Sequence, residues 1–341
     1  MIRVYLRMLR LLISQTKKHK AVNHLLAKPL EQIVPKDFKG RFSAWWEGVD
    51  YVPSPHDPSE EGIHSDEPGE DPFDGVSEAL VAMAFAQGLW GEGYLGPGDA
   101  THYTDLIKNL SLSNEKSLCV LGSGLAGAAR EIVRETDVWV TCYESRKIAV
   151  EESHRQCMIQ GMGKKIKINA YDPETVELPE EKFNSIVSFE EFLFVQNKAR
   201  LIEGASTALK FTGSLLLTDY IVLKDDLSSE SLAAMFPRLW GDAKLWKVDQ
   251  YKACFEESGL TPRVSEDVTA RYVKMIEQGW SQWRRLLDTL KGRDMSSAQE
   301  AAILRMIGTQ AAVWANRLEA LNAGDIGVYR LLALKPSAPV R

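Results

Sequence analysis

A glycine-rich turn between an apolar run and a helical pattern constrains this chain more than any other feature. The run Leu118-Cys-Val-Leu121 enters Gly122-Ser-Gly124, and a second apolar run over 138–143 ends in Glu144. This order is typical of doubly wound α/β sheets, in which the turn lets backbone approach a nucleoside and the acid accepts hydrogen bonds from ribose hydroxyls. Glycines also serve ordinary tight turns and a glutamate can cap a helix, so both plainer interpretations stay open.

From residue 117 onward, apolar runs of strand length alternate with helical periodicity, which indicates parallel strands joined by helical crossovers. The predicted strands cover 117–122, 138–143, 165–170, 184–189, 213–221, 262–269 and 328–334. Residues 270–322 have a helical pattern and form an insertion suited to a lid. We therefore expect an α/β, Rossmann-like fold: a seven-stranded, mostly parallel sheet with a helical N-terminal extension and a helical lid insertion.

Charge is unevenly placed along the chain, whose formal net charge is −6. Residues 1–50 hold ten Lys and Arg against four Asp and Glu, whereas residues 51–75 hold eight acids and no Lys or Arg. A basic amphipathic helix is predicted at 2–14. Such a helix can bind an anionic membrane surface or dock on a protein. Residues 2–17 are therefore a candidate segment for membrane or protein contact.

We predict two parts: a helical extension with an acidic linker over 1–75, and one domain over 76–341 that contains the 270–322 insertion. The mild acidity of this domain argues against a nucleic-acid partner. No apolar run reaches the ~18 residues of a membrane span, and the N-terminus lacks a signal-cleavage pattern. A cytoplasmic location is expected, with peripheral membrane contact left open.

The cysteines and histidines carry no pattern of a metal site. The four cysteines are scattered without a CxxC pair, and the six histidines stand at no metal-ligand spacing with them. Such usage is typical of reduced thiols in a cytosolic protein. We expect no bound metal.

Six motifs, in order, resemble class I S-adenosylmethionine-dependent methyltransferases, and among them the phosphoethanolamine N-methyltransferase and small-molecule methyltransferase group. They are Gly91-Glu-Gly-Tyr-Leu-Gly-Pro-Gly98, Leu121-Gly-Ser-Gly-Leu-Ala-Gly127, Glu144, Asn169-Ala-Tyr-Asp172, Leu215-Leu-Leu-Thr-Asp-Tyr220, and Tyr251 through Gly259 with Glu266-Asp-Val-Thr269. The resemblance implies the class I sheet with an antiparallel last strand and S-adenosyl-L-methionine as cofactor. It also implies methyl transfer to a small-molecule or lipid-type acceptor, at N rather than O or C, and leaves a homodimer open.

The same resemblance implies which residues contact the cofactor: Trp90, Tyr94, Gly98, Gly122, Ser123, Gly124, Glu144, Ser145, Tyr171, Asp172 and Phe189. For Trp90 and Tyr94, packing in the core is the alternative. The candidate catalytic groups are Tyr103, Glu190, Glu191 and Asp219. The two glutamates follow a strand tip and Asp219 ends the fifth predicted strand, where such sheets face their ligands. Tyr103, like Tyr272, offers a hydroxyl as a base or an orienting group.

Three positions depart from the family pattern. Val120 stands where the family usually has an acid, Ala126 where it has a third glycine, and Phe194 where the phosphoethanolamine enzymes have a catalytic histidine. These departures keep a second hypothesis open, a non-catalytic methyltransferase-like scaffold or regulatory subunit. A nicotinamide-dependent dehydrogenase shares the opening motif but explains neither the 91–98 loop nor the terminal strand.

Overall fold

The computed structural model of the chain describes residues 78–225, 227–236, 242–283, 285–286 and 297–338. The helix predicted at 2–14 and the acidic linker lie outside the described residues, so the N-terminal extension and the domain division stay predictions. Within the described part of the chain, no helix combines the length and the hydrophobicity needed to cross a membrane.

Strands and helices follow one another along the described residues in the predicted order, with no helix between the third and fourth strands. The strands are β1 Ser117–Leu121, β2 Trp139–Glu144, β3 Ile166–Ala170, β4 Phe183–Phe189, β5 Leu209–Val222, β6 Thr261–Asp267 and β7 Ile326–Leu334. The helices are α1 Glu78–Trp90, α2 Ala100–Ile107, α3 Gly127–Thr136, α4 Lys147–Ile159, α5 Lys198–Ala208, α6 Ser229–Met235, α7 Val248–Glu257, α8 Thr269–Ser281 and α9 Ser297–Ala323. Short 3-10 turns cover Lys108–Leu110 and Phe192–Phe194.

The strands form a seven-stranded sheet in the order β3-β2-β1-β4-β5-β7-β6. β7 runs antiparallel to both of its neighbours, and the other pairs of adjacent strands run parallel. The predicted Rossmann-like fold with an antiparallel last strand is therefore confirmed. α8 and α9 lie within the stretch predicted as a helical insertion.

The apolar run of β1 is buried on both faces of the sheet, because helices cover both faces of parallel sheets. Side chains alternate along a strand, so Leu118 and Val120 enter one hydrophobic core whereas Cys119 and Leu121 enter the other. All four cysteines of the chain are unpaired, as the sequence predicts, and all four are buried. Burial on two faces explains why this strand has no polar residue except at its first position.

The turn after β1 positions the site, and its backbone conformation explains its glycines. Gly122 and Gly124 have φ of +69° and +57°, and Ala126 has φ of +58°. The amides of Gly122 and Ser123 donate to the carbonyl of Tyr143 at 2.9 and 3.1 Å, which ties the turn to β2. Because a side chain in the left-handed region costs about 1–2 kcal/mol, the family's third glycine is the less strained choice at position 126.

The loop over 91–98 is bound to the start of α3 through backbone. Gly127 N donates to Gly93 O at 3.1 Å, and a Cβ on Gly127 would lie 2.5 Å from that oxygen. Gly93 N in turn donates to the side-chain oxygen of Gln87 at 2.9 Å. These hydrogen bonds hold the 91–98 loop beside the glycine turn.

β5 begins at Leu209, earlier than the 213 start that the sequence predicts. Its pairing with β4 shifts between Phe183 and Ser185, and Thr212 has φ of +63°. β5 holds three more residues than β4 between these two pairs, so the irregularity is a bulge larger than the usual single extra residue. The turn-like sequence before Gly213 hides the first residues of the strand because a bulge and a turn use the same residue types.

Candidate functional site

A cavity of about 770 Å³ opens at the carboxyl edge of the sheet, between the turn after β1, the tips of β2 and β4, and the 91–98 loop. Open α/β sheets bind their ligands at this edge. Ten residues that the sequence predicts as site residues line it: Tyr94, Tyr103, Gly122, Ser123, Gly124, Ser145, Asp172, Phe189, Glu190 and Glu191. Val120 and Phe194, two of the three departures from the family pattern, also line it.

Glu144, at the tip of β2, is fully buried and holds the turn and the strand tip together. Its Oε2 accepts from Gly124 N at 2.6 Å, and its Oε1 accepts from Arg146 N at 3.1 Å. The Arg146 side chain adds Nε to Oε1 at 2.5 Å and Nη2 to Oε2 at 3.2 Å. Arg146 lines the cavity, and sequence reasoning missed it. The signal available in the sequence was a positively charged residue, Arg146, two positions after the acid Glu144 at the strand end.

Glu191 is pressed against the glycine turn. A Cβ on Gly122 would lie 2.5 Å from both Cβ and Oε2 of Glu191, so only glycine fits there. The Tyr171 hydroxyl donates to Glu191 Oε1 at 2.9 Å. Burial and the negative charge of Glu144 raise the pKa of Glu191 to about 7, against the lowering effect of Arg146. This carboxyl can therefore change its charge near neutral pH.

Glu190 belongs to a second acidic group at the other end of the cavity. Its backbone is left-handed, with φ of +54°, and its amide donates to Thr218 O at 2.8 Å. Its Oε1 accepts from Thr218 Oγ1 at 2.6 Å and from the Tyr272 hydroxyl on α8. Burial raises the pKa of Glu190 to about 7, although both hydrogen bonds lower it. A strained, hydrogen-bonded acid with a shifted pKa in a cavity is typical of functional sites.

Aromatic rings line the cavity next to Glu190. Tyr94 and Tyr103 stack with ring centroids 5.2 Å apart, and Phe189 meets Tyr103 edge-on at 4.8 Å. Burial raises the pKa of the Tyr103 hydroxyl well above its usual value, with the nearby Glu190 charge adding to the effect. The Tyr103 hydroxyl is therefore a hydrogen-bonding group at neutral pH rather than a phenolate.

The structure does not bring five of the predicted residues to the cavity lining. Trp90 is buried against Trp314 with ring centroids 5.0 Å apart, which is the core packing held open as its alternative. Glu144 instead holds Gly124 and Arg146, which do line the cavity. Tyr171 instead donates to the lining residue Glu191. Gly98 lies against the Tyr103 ring, where a Cβ would be 2.7 Å from the hydroxyl oxygen.

Asp219, the fifth, is turned away from the cavity. It is fully buried, accepts from the Tyr251 hydroxyl on α7, and accepts from Tyr220 N at 2.9 Å. Burial raises its pKa to about 6, while the buried Lys198 opposes the rise. Lys198 Nζ donates to Val195 O at 2.7 Å, so these charges support the segment that lines the cavity next to Phe194.

Sequence reasoning also missed several polar residues of the lining besides Arg146. They are Lys147, Glu174, Gln196 and Asp242. They lie in loops and at a helix start without a motif of their own, so only the fold brings them together. Glu174 is fixed there because its carboxylate accepts from the amides of Gln196 and Asn197 at 2.6 and 3.0 Å.

Known proteins resemble this chain in sequence and in fold, although no protein-family model matches it. Phosphoethanolamine N-methyltransferase 1 of Triticum aestivum is 25% identical over 206 residues, which cover 60% of this chain but only 40% of that enzyme. The 27-O-demethylrifamycin SV methyltransferase of Amycolatopsis mediterranei (strain S699) is 22% identical over 272 residues, 79% of this chain and 96% of that enzyme. The chain thus spans less than half the length of the plant relative.

A solved structure of Haemonchus contortus phosphoethanolamine N-methyltransferase 2 in complex with S-adenosyl-L-methionine superposes with a TM-score of 0.66. The match has 17% sequence identity and covers 76% of this chain and 57% of that one. At this identity the likeness establishes a shared fold. The chain has the class I methyltransferase fold, and it is similar in sequence to phosphoethanolamine N-methyltransferases and to other S-adenosylmethionine-dependent methyltransferases.

Proposed function

We propose that this chain transfers a methyl group from S-adenosyl-L-methionine to a small-molecule acceptor, with an amine nitrogen as the favoured target. The observation that carries the proposal is the Glu144 carboxylate held on the Gly124 amide at 2.6 Å, beside a cavity of about 770 Å³. This volume lies within the range of about 300–1,000 Å³ that is usual for cofactor and small-molecule sites. The sequence similarity to methyltransferases and the shared fold support the same conclusion.

The residues of the cavity fit this cofactor. The left-handed glycine turn leaves backbone uncovered, Glu144 can accept hydrogen bonds from a ribose, and Asp172 lines the end where an adenine amino group would be recognised. S-adenosylmethionine, when bound, supplies a methyl group on a positively charged sulfur, which needs no further activation. The chain's own part is to hold the acceptor in line with that methyl group.

The other end of the cavity suits an amine acceptor. Aromatic faces attract cations, and Tyr94, Tyr103 and Phe189 supply such faces. Glu190, with a pKa raised to about 7, can accept a proton from an acceptor that arrives as an ammonium ion. Tyr272 and Thr218 orient its carboxylate. In this arrangement Glu190 supplies the base that Phe194 cannot.

A non-catalytic scaffold or regulatory subunit is the second candidate, and the observation that favours it is Phe194. A phenyl ring lines the cavity where the related enzymes have an imidazole. The two candidates differ at Glu190 and Glu191, because half-buried acids that line a cavity and have pKa values raised to about 7 are typical of a site that binds or reacts.

A lipid-type acceptor, membrane contact through residues 2–17, a homodimer and a cytoplasmic location are further proposals that follow from the sequence. Deleting residues 1–20 of the full chain and measuring partition onto anionic vesicles tests the membrane contact. We expect the deletion to reduce partition. Unchanged partition would contradict it.

Calorimetric titration of the full chain with S-adenosylmethionine tests the proposed function. We expect binding that weakens about tenfold or more in Glu144→Gln, since hydrogen bonds to a charged group contribute about 1.5–3 kcal/mol. Glu180→Gln is the matched control, because Glu180 is an exposed acid outside the cavity. Mass spectrometry of a panel of amines then identifies the methylated product. Absence of cofactor binding at millimolar concentration would contradict the proposal.

A further inference from the structure

Arg146 lies on the acid that the proposed function assigns to the ribose, and the inference rests on that function. Nε donates to Glu144 Oε1 at 2.5 Å and Nη2 donates to Oε2 at 3.2 Å. Two donors side by side on two carboxylate oxygens are also what a pair of ribose hydroxyls would present. The guanidinium and a ribose therefore compete for one carboxylate.

The carboxylate itself is held in place. Gly124 N donates to Oε2 at 2.6 Å and Arg146 N donates to Oε1 at 3.1 Å, so two backbone amides fix the acid whatever the guanidinium does. The Glu144 side chain has no exposed surface, whereas 16% of the Arg146 side chain is exposed. Of the two partners, the arginine is the one with room to move.

A second acid lies within reach of the arginine's charge. Glu191 Oε2 lies 2.5 Å from the Cβ position of Gly122, and Arg146 Nη2 lies 3.7 Å from that of Gly124, so both side chains meet the same turn. Glu191 also accepts from the Tyr171 hydroxyl. Glu191 and Tyr171 both raise the pKa of Arg146, and Arg146 lowers the pKa of Glu191. A guanidinium that leaves Glu144 therefore keeps a carboxylate beside it and is not left as a buried, unpaired charge, which would be costly.

We propose that Arg146 is a latch on the ribose-binding acid: its guanidinium holds Glu144 until a ribose takes its place, and it then pairs with Glu191. When a ribose binds, its new hydrogen bonds to Glu144 are partly offset by the loss of the Arg146–Glu144 ion pair. Because the ribose is common to them, adenosine, S-adenosylmethionine and S-adenosylhomocysteine are all held less tightly by the same factor. The latch therefore weakens the methyl donor and the demethylated product alike, without selecting between them, and has no part in methyl transfer itself.

Calorimetric titration of the full chain with adenosine, S-adenosylhomocysteine and S-adenosylmethionine tests the latch in wild type and in Arg146→Met. Methionine keeps an unbranched side chain that reaches about as far as the arginine Nε, and it removes the donors. We expect all three ligands to bind about tenfold more tightly to the variant, the factor that one charged hydrogen bond is worth. We also expect the variant alone to unfold at a lower temperature, and each ligand to raise its Tm by more than in wild type.

Arg155→Met is the matched control. Arg155 lies on α4, the helix that begins directly after Arg146, is paired with Glu152 and does not line the cavity, so the three affinities should not change. Arg146→Lys, with fewer donors, should give a smaller gain and serves in place of the methionine variant if that one does not fold.

Unchanged or weaker binding in the Arg146 variants, or a gain confined to one ligand, overturns the latch. If wild type binds the ligands and the Arg146 variants bind them equally well, the latch fails and the proposed function stands. If wild type binds none of the three, the proposed function fails and the latch fails with it.

Discussion

The two ends of the cavity are built from the sequence in different ways. At the β1–β2 end, Glu144 meets Gly124 across 20 residues of chain, and both belong to short motifs. At the β4–β5 end, Glu190 meets Tyr272 across 82 residues, and Tyr103 arrives from α2. The end proposed to hold the cofactor is thus encoded locally, whereas the end proposed to hold the acceptor depends on the packing of α8 against the tip of β4. Of the departures from the pattern of the similar methyltransferases, Phe194 is the one that changes the chemistry of a residue lining the cavity where a base was expected.

The largest effect is expected at the local end, from Gly122→Ala. The new Cβ would lie 2.5 Å from Glu191 in a residue with φ of +69°. We expect a stability loss of about 2 kcal/mol or more, from backbone strain and overpacking together, and no cofactor binding detectable by calorimetry. Urea unfolding measures the first quantity.

Gly161→Ala is the control for this variant. Gly161 has a similar φ of +73°, but nothing lies within 4 Å of its Cβ position. It should therefore lose only about 1 kcal/mol or less, because the smaller freedom of alanine in the unfolded chain offsets part of the strain, and it should bind the cofactor as wild type does. Equal losses of binding in the two variants would show that strain, not the close approach to Glu191, explains the glycine.

The acceptor end should respond in rate rather than in cofactor affinity. Glu190→Gln removes the proposed base, so we expect methyl transfer to an amine to fall by roughly 10²–10⁴-fold with cofactor affinity unchanged. Single-turnover kinetics and calorimetry measure the two quantities. A full rate in this variant would leave the acceptor end without a base and favour an acceptor that arrives deprotonated.

The pH profile gives a smaller and more specific test. A base acts in its ionised form, so the rate should rise with pH through the Glu190 pKa of about 7. Because the Tyr272 hydroxyl lowers that pKa, Tyr272→Phe should move the midpoint to higher pH. A profile that keeps its midpoint would mean that another group titrates.

The smallest effect is expected from Ala126→Gly, which restores the family's third glycine. Ala126 has φ of +58°, a conformation that costs alanine about 1–2 kcal/mol, and glycine's greater freedom in the unfolded chain offsets part of the gain. We expect a net stabilisation below about 1 kcal/mol, measured by urea unfolding. A clear destabilisation would mean that the buried Cβ contributes more by packing than the strain removes.

The sequence predicts the sheet well because its strands are apolar runs with turns between them. β1, with four buried apolar residues before Gly122, illustrates this. The bulge in β5 escapes prediction because Thr212 and Gly213 resemble a turn, and only pairing with β4 distinguishes the two.

Prediction of the site follows the same division. Gly122, Gly124 and Glu144 stand in a local motif, and the structure brings their backbone and carboxylate together. Asp219 is the opposite case. Its strand-end position predicts a residue facing the cavity, but the buried Tyr251 and Lys198 draw its carboxylate the other way. Those partners come from α7 and α5, so only tertiary packing decides its direction.

The backbone contact between Gly93 and Gly127 has a mechanical consequence. Neither residue can acquire a side chain without separating the 91–98 loop from α3, because a Cβ on Gly93 would lie 2.9 Å from the Gly127 Cα. A larger residue at either position would therefore displace the loop that carries Tyr94, and with it one aromatic face of the cavity. The two glycines thus set the width of the cavity without lying at its centre.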